Sequence, residues 1–159
     1  GFRGSQVDTI QERLAAAAKA RQDEADGACA ALTPNMCETA TPEQADAMPY
    51  DLYREGYYYY GRDCAHPGST FSYTVSSLME LAAWDASEGA QLIDVPLLMM
   101  MGSRADTGYM TIDCFERAVN APVRELFEIP GATHIQTYWK PEYVSQAAGK
   151  LVEFFGKHV

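Results

Sequence analysis

The stretch Val95-Pro-Leu-Leu-Met-Met-Met-Gly102 decides the fold, because it holds the longest unbroken apolar run in the chain. A strand covered on one face alternates apolar and polar residues, whereas this run shows no such alternation. It is also far shorter than the roughly 18 to 20 residues that a membrane-spanning helix requires. The run therefore predicts a strand covered on both faces in a parallel sheet, and no segment is expected in a membrane.

A crossover helix and a second strand are predicted after this run. Residues 123–129 read as a short strand, and Ile112, Phe115 and Val119 recur at helical spacing before it. Strand, helix and strand over about 35 residues form a βαβ unit with parallel strands and a right-handed crossover. A last helix begins at Pro141, and its apolar face consists of Val144, Ala147, Ala148, Leu151 and Phe155. The fold class is therefore α/β.

Residues 1–90 predict a helical cap or lid with its connecting segment, and residues 91–159 predict a βαβα part of the core. A first helix spans about residues 7–25, with Thr9 and Glu12 forming a capping box. Residues 29–49 are predicted to be a loop because they are rich in Pro and Thr without periodicity.

A tyrosine-rich helix follows this loop. Six tyrosines lie in the eleven residues from Tyr50 to Tyr60, so a helix here must bury at least one aromatic face. The next helix carries its apolar residues at Val75, Leu78, Met79 and Ala82.

Charge and composition limit the partners and the compartment. The formal net charge of -10 would repel nucleic acid and anionic membranes, so a small or neutral molecule is the expected ligand. Residues 1–9 lack the basic start and apolar run of a signal peptide, which favours the cytoplasm. Cys29, Cys37, Cys64 and Cys114 lack metal-ligand spacing, so no metal is expected, and Cys29 with Cys37 is the first disulfide to test.

Two titratable residues follow the predicted strands. Asp106 lies in the loop after the first strand and His134 in the loop after the second. Parallel strands bring these loops to one edge of the sheet, where open α/β folds bind ligands. An aspartate can fix the imidazole tautomer and leave the other nitrogen to take a proton from a nucleophile. Either residue alone could be structural, but their joint placement predicts a catalytic relay. Asp113 competes for the acid role but falls inside the predicted helix.

Three segments resemble the C-terminal portion of α/β-hydrolases: Leu97-Leu-Met-Met-Met-Gly-Ser-Arg-Ala-Asp-Thr107, Phe127-Glu-Ile-Pro-Gly-Ala-Thr-His-Ile135 and Trp139-Lys-Pro-Glu-Tyr143. They are most similar to the dienelactone-hydrolase-like and peptidase-like group, which includes YcjY-type bacterial proteins and fungal polyketide transferases. The resemblance implies that Asp106 is the triad acid and His134 the general base. It also implies serine-type cleavage of an ester, thioester or amide through an acyl-enzyme, without a cofactor.

The chain departs from this superfamily in its nucleophile. An α/β-hydrolase presents it on a G-x-S-x-G elbow ahead of the acid and the histidine, and this pattern is missing from the sequence. The nearest imitation, Gly27-Ala-Cys-Ala-Ala31, follows no predicted strand. The superfamily's order puts the elbow before Gly1, so the expected partner is the N-terminal half of the same hydrolase. Two strands with an open edge also call for such a cover, and a homodimer is an alternative.

Two other functions stay open. The polyketide transferases imply delivery of the acyl group to an alcohol with the same triad, and a missing nucleophile also fits a non-catalytic binding module. Candidate substrate-binding residues are Tyr57 and Tyr60 of the tyrosine-rich helix and Tyr109, which follows Asp106. His66 and His158 receive no catalytic assignment.

Overall fold

The computed structural model describes residues 9–68 and 71–158. Within them, the strands are β1 (Leu97–Gly102) and β2 (Arg124–Ile129). The α-helices of this part are α1 (Ile10–Ala25), α2 (Met36–Thr39), α3 (Pro42–Asp46), α4 (Asp51–Tyr58), α5 (Leu78–Ala83), α6 (Gly108–Arg117), α7 (Gln136–Trp139) and α8 (Pro141–His158). A π-helical turn covers Tyr59–Asp63, and 3-10 turns cover Val75–Ser77 and Ala86–Leu92.

The described residues fall into two compact units. The first holds the described parts of Gly1–Ala40 and His66–Asp85, and the second holds Thr41–Ala65 with the described part of Ala86–Val159. Residues 41–65, which the sequence analysis assigns to the cap, therefore belong to the same unit as both strands. The reason is that α4 forms hydrogen bonds with the loops that follow β1 and β2.

The predicted parallel pairing of the two strands is confirmed. β1 and β2 pair in register from Leu97 with Arg124 to Gly102 with Ile129. β1 begins at Leu97 and not at Val95, because the intervening proline has no N–H for the ladder. Leu97 to Met101 are half-buried in the described part of the chain, so the predicted cover on both faces is only partial there.

The crossover helix is confirmed, but it is shorter than predicted. α6 ends at Arg117, and Val119, which the apolar spacing assigned to the helix, lies beyond the end and is 62% exposed. The last helix begins at Pro141 as predicted. Its buried residue is Phe154, however, while Phe155 on the predicted apolar face is half exposed.

An ion pair fixes the orientation of α8 and makes stability depend on pH. Lys150 Nζ lies 2.6 Å from Glu125 Oε2 of β2, and the hydrogen bond from Lys150 holds the pKa of Glu125 below its usual range. Because the folded-state pKa is lowered, the pair stabilises the fold above the unfolded glutamate pKa of about 4.3. Its contribution is lost as the pH falls through the lower, folded-state pKa.

We therefore expect Glu125→Gln to melt below the parent protein near pH 7, with a gap that shrinks when the pH falls below about 4. Thermal unfolding followed by circular dichroism between about pH 7 and pH 3 measures this gap. Glu128→Gln, on the other face of the same strand, is the matched control. A gap for Glu125→Gln that is the same at every pH would contradict the prediction.

The first unit is built on α1, which the sequence predicts correctly and which buries Ala17. Thr9 is its N-cap, but the Thr9 side chain makes no capping hydrogen bond, so the predicted capping box is wrong. Val7, the first apolar residue of the predicted helix, lies outside the described residues. α1 packs against Val75–Ser77 and α5 within this unit.

The predicted loop in residues 29–49 contains two short helices, α2 and α3. α3 starts with a complete capping box, in which the Thr41 hydroxyl accepts from the Gln44 N–H and the Gln44 side chain accepts from the Thr41 N–H. Pro42 occupies the first turn, where proline is favoured. The prediction missed this helix because five residues are too few to show an apolar period.

The suggested disulfide between Cys29 and Cys37 is not formed, since Cys29, Cys37, Cys64 and Cys114 take part in no disulfide. None of the helices in residues 9–68 and 71–158 has both the length and the apolar character that crossing a membrane requires.

Candidate functional site

Hydrogen bonds tie together the two loops that leave β1 and β2. Ser103 N–H donates to Ile129 O at 3.0 Å, and Arg104 N–H donates to Ala132 O at 2.9 Å. Ser103 Oγ in turn accepts from Gly131 N–H at 2.8 Å. The loop that carries Asp106 is therefore held against the loop that carries His134, as the parallel strands predict.

Gly102 makes this close approach feasible. A Cβ atom built on Gly102 would lie 2.8 Å from the carbonyl carbon of Ala132 and 2.9 Å from Thr133 O. Real Cβ atoms do not approach backbone atoms so closely, so a larger residue would push the loops apart. A glycine at the end of β1 is therefore a requirement of the site.

The His134 imidazole has a hydrogen-bond partner at each nitrogen. Nδ1 lies 2.7 Å from Thr107 Oγ1, and Nε2 lies 2.5 Å from the Tyr138 hydroxyl. Thr137 Oγ1 also donates to His134 O at 2.7 Å, which fixes the backbone where α7 begins. The ring is thus held in one orientation from both sides.

The structure brings Asp106 to the same pair of loops, but Asp106 does not take the position next to the imidazole that the sequence analysis assigns to it. Its Oδ2 atom accepts from the Leu52 N–H at 3.0 Å, and Thr107 instead contacts His134 Nδ1. Oδ1 is buried and has no hydrogen-bond partner among the described residues. Buried polar atoms are nearly always paired, so this oxygen is poised to accept a further hydrogen bond.

Asp106 also caps the tyrosine-rich helix. The N-cap residue of α4, Tyr50, offers no side-chain capping bond, and the Asp106 carboxylate satisfies the Leu52 N–H in its place. A carboxylate at a helix N-terminus is favoured by the free N–H groups and by the helix dipole. This contact joins α4 to the loop after β1.

We expect Asp106→Ala to lower the free energy of unfolding by about 1 kcal/mol, within the usual range of about 0.5 to 2 kcal/mol for a lost cap. Asp106→Asn keeps an oxygen that can accept from Leu52 and should cost less. Urea unfolding of the three proteins provides the comparison. Equal stability of Asp106→Ala and the parent would show that the contact with Leu52 does not support α4.

Glu55 is a site residue that the sequence analysis missed. Its Oε2 accepts from Thr133 Oγ1 at 2.5 Å, and its Oε1 accepts from Gln136 Nε2 at 3.3 Å. Thr133 and Gln136 flank His134 on either side, and Thr133 is buried. Glu55 therefore anchors the histidine loop to α4. The sequence could not predict this contact, because Glu55 is 78 and 81 residues away from its two partners.

The predicted substrate-binding tyrosines lie in different environments. Tyr57 is fully buried, and its hydroxyl accepts from Arg62 at 2.6 Å, so we assign it to the core and not to a pocket wall. Tyr60 lies among aromatic rings, and burial raises its pKa. Tyr109 is 57% exposed in the first turn of α6. None of these three tyrosines lines the cavity beside the start of α7.

A cavity of ≈ 380 Å³ opens in the second unit, beside the start of α7. Its lining consists of Glu55, Tyr58, Tyr59, Asp63, Ile135, Gln136, Trp139 and Lys140. The tyrosine-rich stretch does contribute to this wall, but through Tyr58 and Tyr59 and not through the predicted Tyr57 and Tyr60. In the described part of the chain, no three His, Cys, Asp or Glu side chains meet as metal ligands.

The remaining histidines, His66 and His158, and the rival acid, Asp113, belong to other segments of the chain. His66 Nδ1 accepts from the Gly68 N–H at 3.0 Å in the first unit. His158, at the end of α8, lies 3.9 Å from Glu125 Oε1. Asp113 is exposed in the middle of α6.

Comparison with known proteins gives relatives but no family assignment. No model of a protein family matches the chain. The chain is 27% identical over 117 residues to the uncharacterized protein YcjY of Escherichia coli (strain K12), a match that covers 73% of this chain and 38% of YcjY.

Two solved structures share the fold. DcsB in complex with its substrate analogue superposes with a TM-score of 0.75 and 19% identity, over 97% of this chain and 52% of DcsB. The hypothetical protein PA2218 from Pseudomonas aeruginosa has a TM-score of 0.70 and 20% identity, over 94% of this chain and 45% of PA2218. The chain thus spans 38% to 52% of the length of these relatives. Identities this low speak for the fold alone, and that fold is mixed α/β.

Proposed function

We propose that this chain supplies the general base, His134, and the acid, Asp106, of a serine-type α/β-hydrolase that cleaves an ester, thioester or amide. The observation that carries the proposal is the hydrogen bonding between the loops that follow β1 and β2. These loops bring a carboxylate and an oriented imidazole to one edge of a parallel sheet. The mixed α/β fold that the chain shares with DcsB and PA2218, together with the resemblance of residues 97–107 and 127–135 to α/β-hydrolases, supports it.

The chemistry follows from the two imidazole nitrogens. Nε2 of His134 takes the proton from the nucleophile's hydroxyl as its oxygen attacks the carbonyl carbon of the substrate. The leaving group then takes that proton, and an acyl-enzyme remains. Water then attacks the acyl carbon and gives a proton to Nε2, and the nucleophile's oxygen takes that proton as it leaves, which releases the acid. The positive imidazolium that forms twice needs a negative charge nearby, and Asp106 is the carboxylate on the adjoining loop.

Asp106 Oδ1 is the oxygen that fits this task. It is buried, has no hydrogen-bond partner among the described residues, and belongs to the residue that precedes Thr107, the present partner of Nδ1. We propose that Nδ1 exchanges the Thr107 hydroxyl for the Asp106 carboxylate when His134 is protonated, because charge-assisted hydrogen bonds are the stronger ones.

The nucleophile is proposed to come from the part of the relatives' length that this chain does not match. The 159 residues contain no G-x-S-x-G elbow, whereas DcsB and PA2218 are about twice as long as the matched region. In the described residues β1 pairs only with β2, so its other edge can receive a further strand. We propose that the segment with the nucleophile adds to this edge.

The test is an assay of the full-length gene product with p-nitrophenyl esters, a thioester and an anilide. We expect turnover of at least one class and an acyl adduct in the intact mass when the reaction is quenched early. A competing alcohol separates hydrolysis from acyl transfer, because only a transferase would form the new ester. Absence of both turnover and adduct with all three classes would overturn the proposal.

A second candidate, a non-catalytic binding module, is favoured by one observation. Nε2 of His134, the atom that must receive the proton, is in contact with the Tyr138 hydroxyl. A protein that has lost its nucleophile would have no need to keep this atom free. Saturable binding of an acyl compound without any turnover in the full-length protein would support this candidate.

A further inference from the structure

Tyr138 occupies the nitrogen of His134 that the proposed reaction needs free. Its hydroxyl lies 2.5 Å from Nε2, and the two rings meet nearly perpendicular, with centroids 5.3 Å apart. Tyr138 belongs to α7 and lies four residues after His134, which precedes that helix, so the contact is local in the sequence. A nucleophile would have to place its own hydroxyl at this position in order to give its proton to Nε2.

Neighbouring tyrosines hold the Tyr138 ring over the imidazole. The centroid of the Tyr138 ring is 5.8 Å from that of Tyr59 and 6.5 Å from that of Tyr60. Both neighbours belong to the π-helical turn Tyr59–Asp63, an element that is rare and frequent at functional sites. The position of the phenol therefore depends on three neighbouring rings of the same unit, those of Tyr59, Tyr60 and His134.

The phenol of Tyr138 can donate its proton to Nε2 of His134, with which it is in contact. In that arrangement His134 carries its own proton on Nδ1, where it donates to Thr107 Oγ1. A general base needs this tautomer, because the accepting lone pair is on Nε2.

We infer that Tyr138 is a positioning residue, whose phenol fixes the Nδ1–H tautomer of His134 and covers Nε2 until the hydroxyl of a nucleophile replaces it. Only the last step of this inference, the replacement, rests on the proposed function. Tyr138 is 45% exposed, so its ring can turn into solvent without opening the core. His134 is in this way kept in the reactive tautomer and protected while no nucleophile is engaged.

The ¹⁵N resonances of the imidazole test the tautomer in this chain directly. At about pH 8.5, two units above the ordinary histidine pKa, His134 should carry its proton on Nδ1. Tyr138→Phe should shift the ratio of the tautomers toward Nε2–H by about fivefold, as expected for a hydrogen bond of about 1 kcal/mol. Tyr143→Phe is the matched control, because the Tyr143 hydroxyl donates to Gly131 O at 3.4 Å in the same loop without contacting the imidazole.

Carbethoxylation by diethyl pyrocarbonate, read by peptide mass, tests the cover over Nε2. In the parent protein His134 should react more slowly than the exposed His66, and Tyr138→Phe should accelerate His134 alone. An unchanged tautomer ratio in Tyr138→Phe, or a His134 that reacts as fast as His66 in the parent, would overturn the inference. The comparison within the parent stays decisive even if the variant does not fold. Neither measurement needs turnover, so a failed hydrolysis assay and a failed inference are distinguishable.

Discussion

Replacing His134 by alanine or Asp106 by asparagine is expected to lower the turnover of the full-length protein at least about a hundredfold. Alanine removes the group that takes the proton from the nucleophile. Asparagine can still accept from Leu52, which preserves the start of α4, but it cannot offer a negative charge to the imidazolium. Initial rates with the best ester substrate, measured on folded variants, provide the comparison.

Two matched controls make this prediction specific. His66→Ala removes a histidine of the first unit, and Asp113→Asn removes an exposed carboxylate of α6, so both should keep nearly normal rates. If Asp113→Asn loses turnover while Asp106→Asn does not, the acid role passes to Asp113. Near-normal turnover in His134→Ala would remove this histidine from the mechanism altogether.

The second unit shows what an apolar pattern can predict. The apolar run before Gly102 predicted a parallel strand, because a strand covered on both faces has apolar residues at consecutive positions. The pattern of apolar residues after it predicted the crossover helix and the second strand. The same pattern misjudged α8. Val144 and Phe155 satisfied the helical period but are exposed among the described residues, because a period says which side chains share a face and not whether anything covers it.

The candidate site was predictable only in part, for a physical reason. Strand order places Asp106 and His134 at one edge, but hydrogen-bond partners depend on distances that a sequence does not contain. Asp106 contacts Leu52, which is 54 residues away, and Thr107 takes the neighbouring position at Nδ1. The contact of Tyr138 with His134 was missed as well, because His134 precedes α7 and no helical period joins the two residues.

Gly102→Ala is expected to destabilise the protein by about 1 to 3 kcal/mol, the usual cost of forcing a methyl group into a packed site. For a chain of this size the thermal midpoint should fall by about 3 to 10 °C. The added Cβ would meet the backbone of Ala132 and Thr133, which cannot swing aside as a flexible side chain can. The histidine loop must therefore move away from β1.

The matched control for this change is Gly149→Ala in α8, where an added Cβ meets nothing within 4 Å. A glycine inside a helix costs about 0.5 to 1 kcal/mol relative to alanine, so this variant should be more stable than the parent. Amide resonances of residues 132–134 should move in Gly102→Ala and stay in place in Gly149→Ala. A Gly102→Ala variant with parental stability and unmoved resonances would contradict the prediction, because it would mean that the absence of a side chain at Gly102 does not set the separation between the end of β1 and the loop that carries His134.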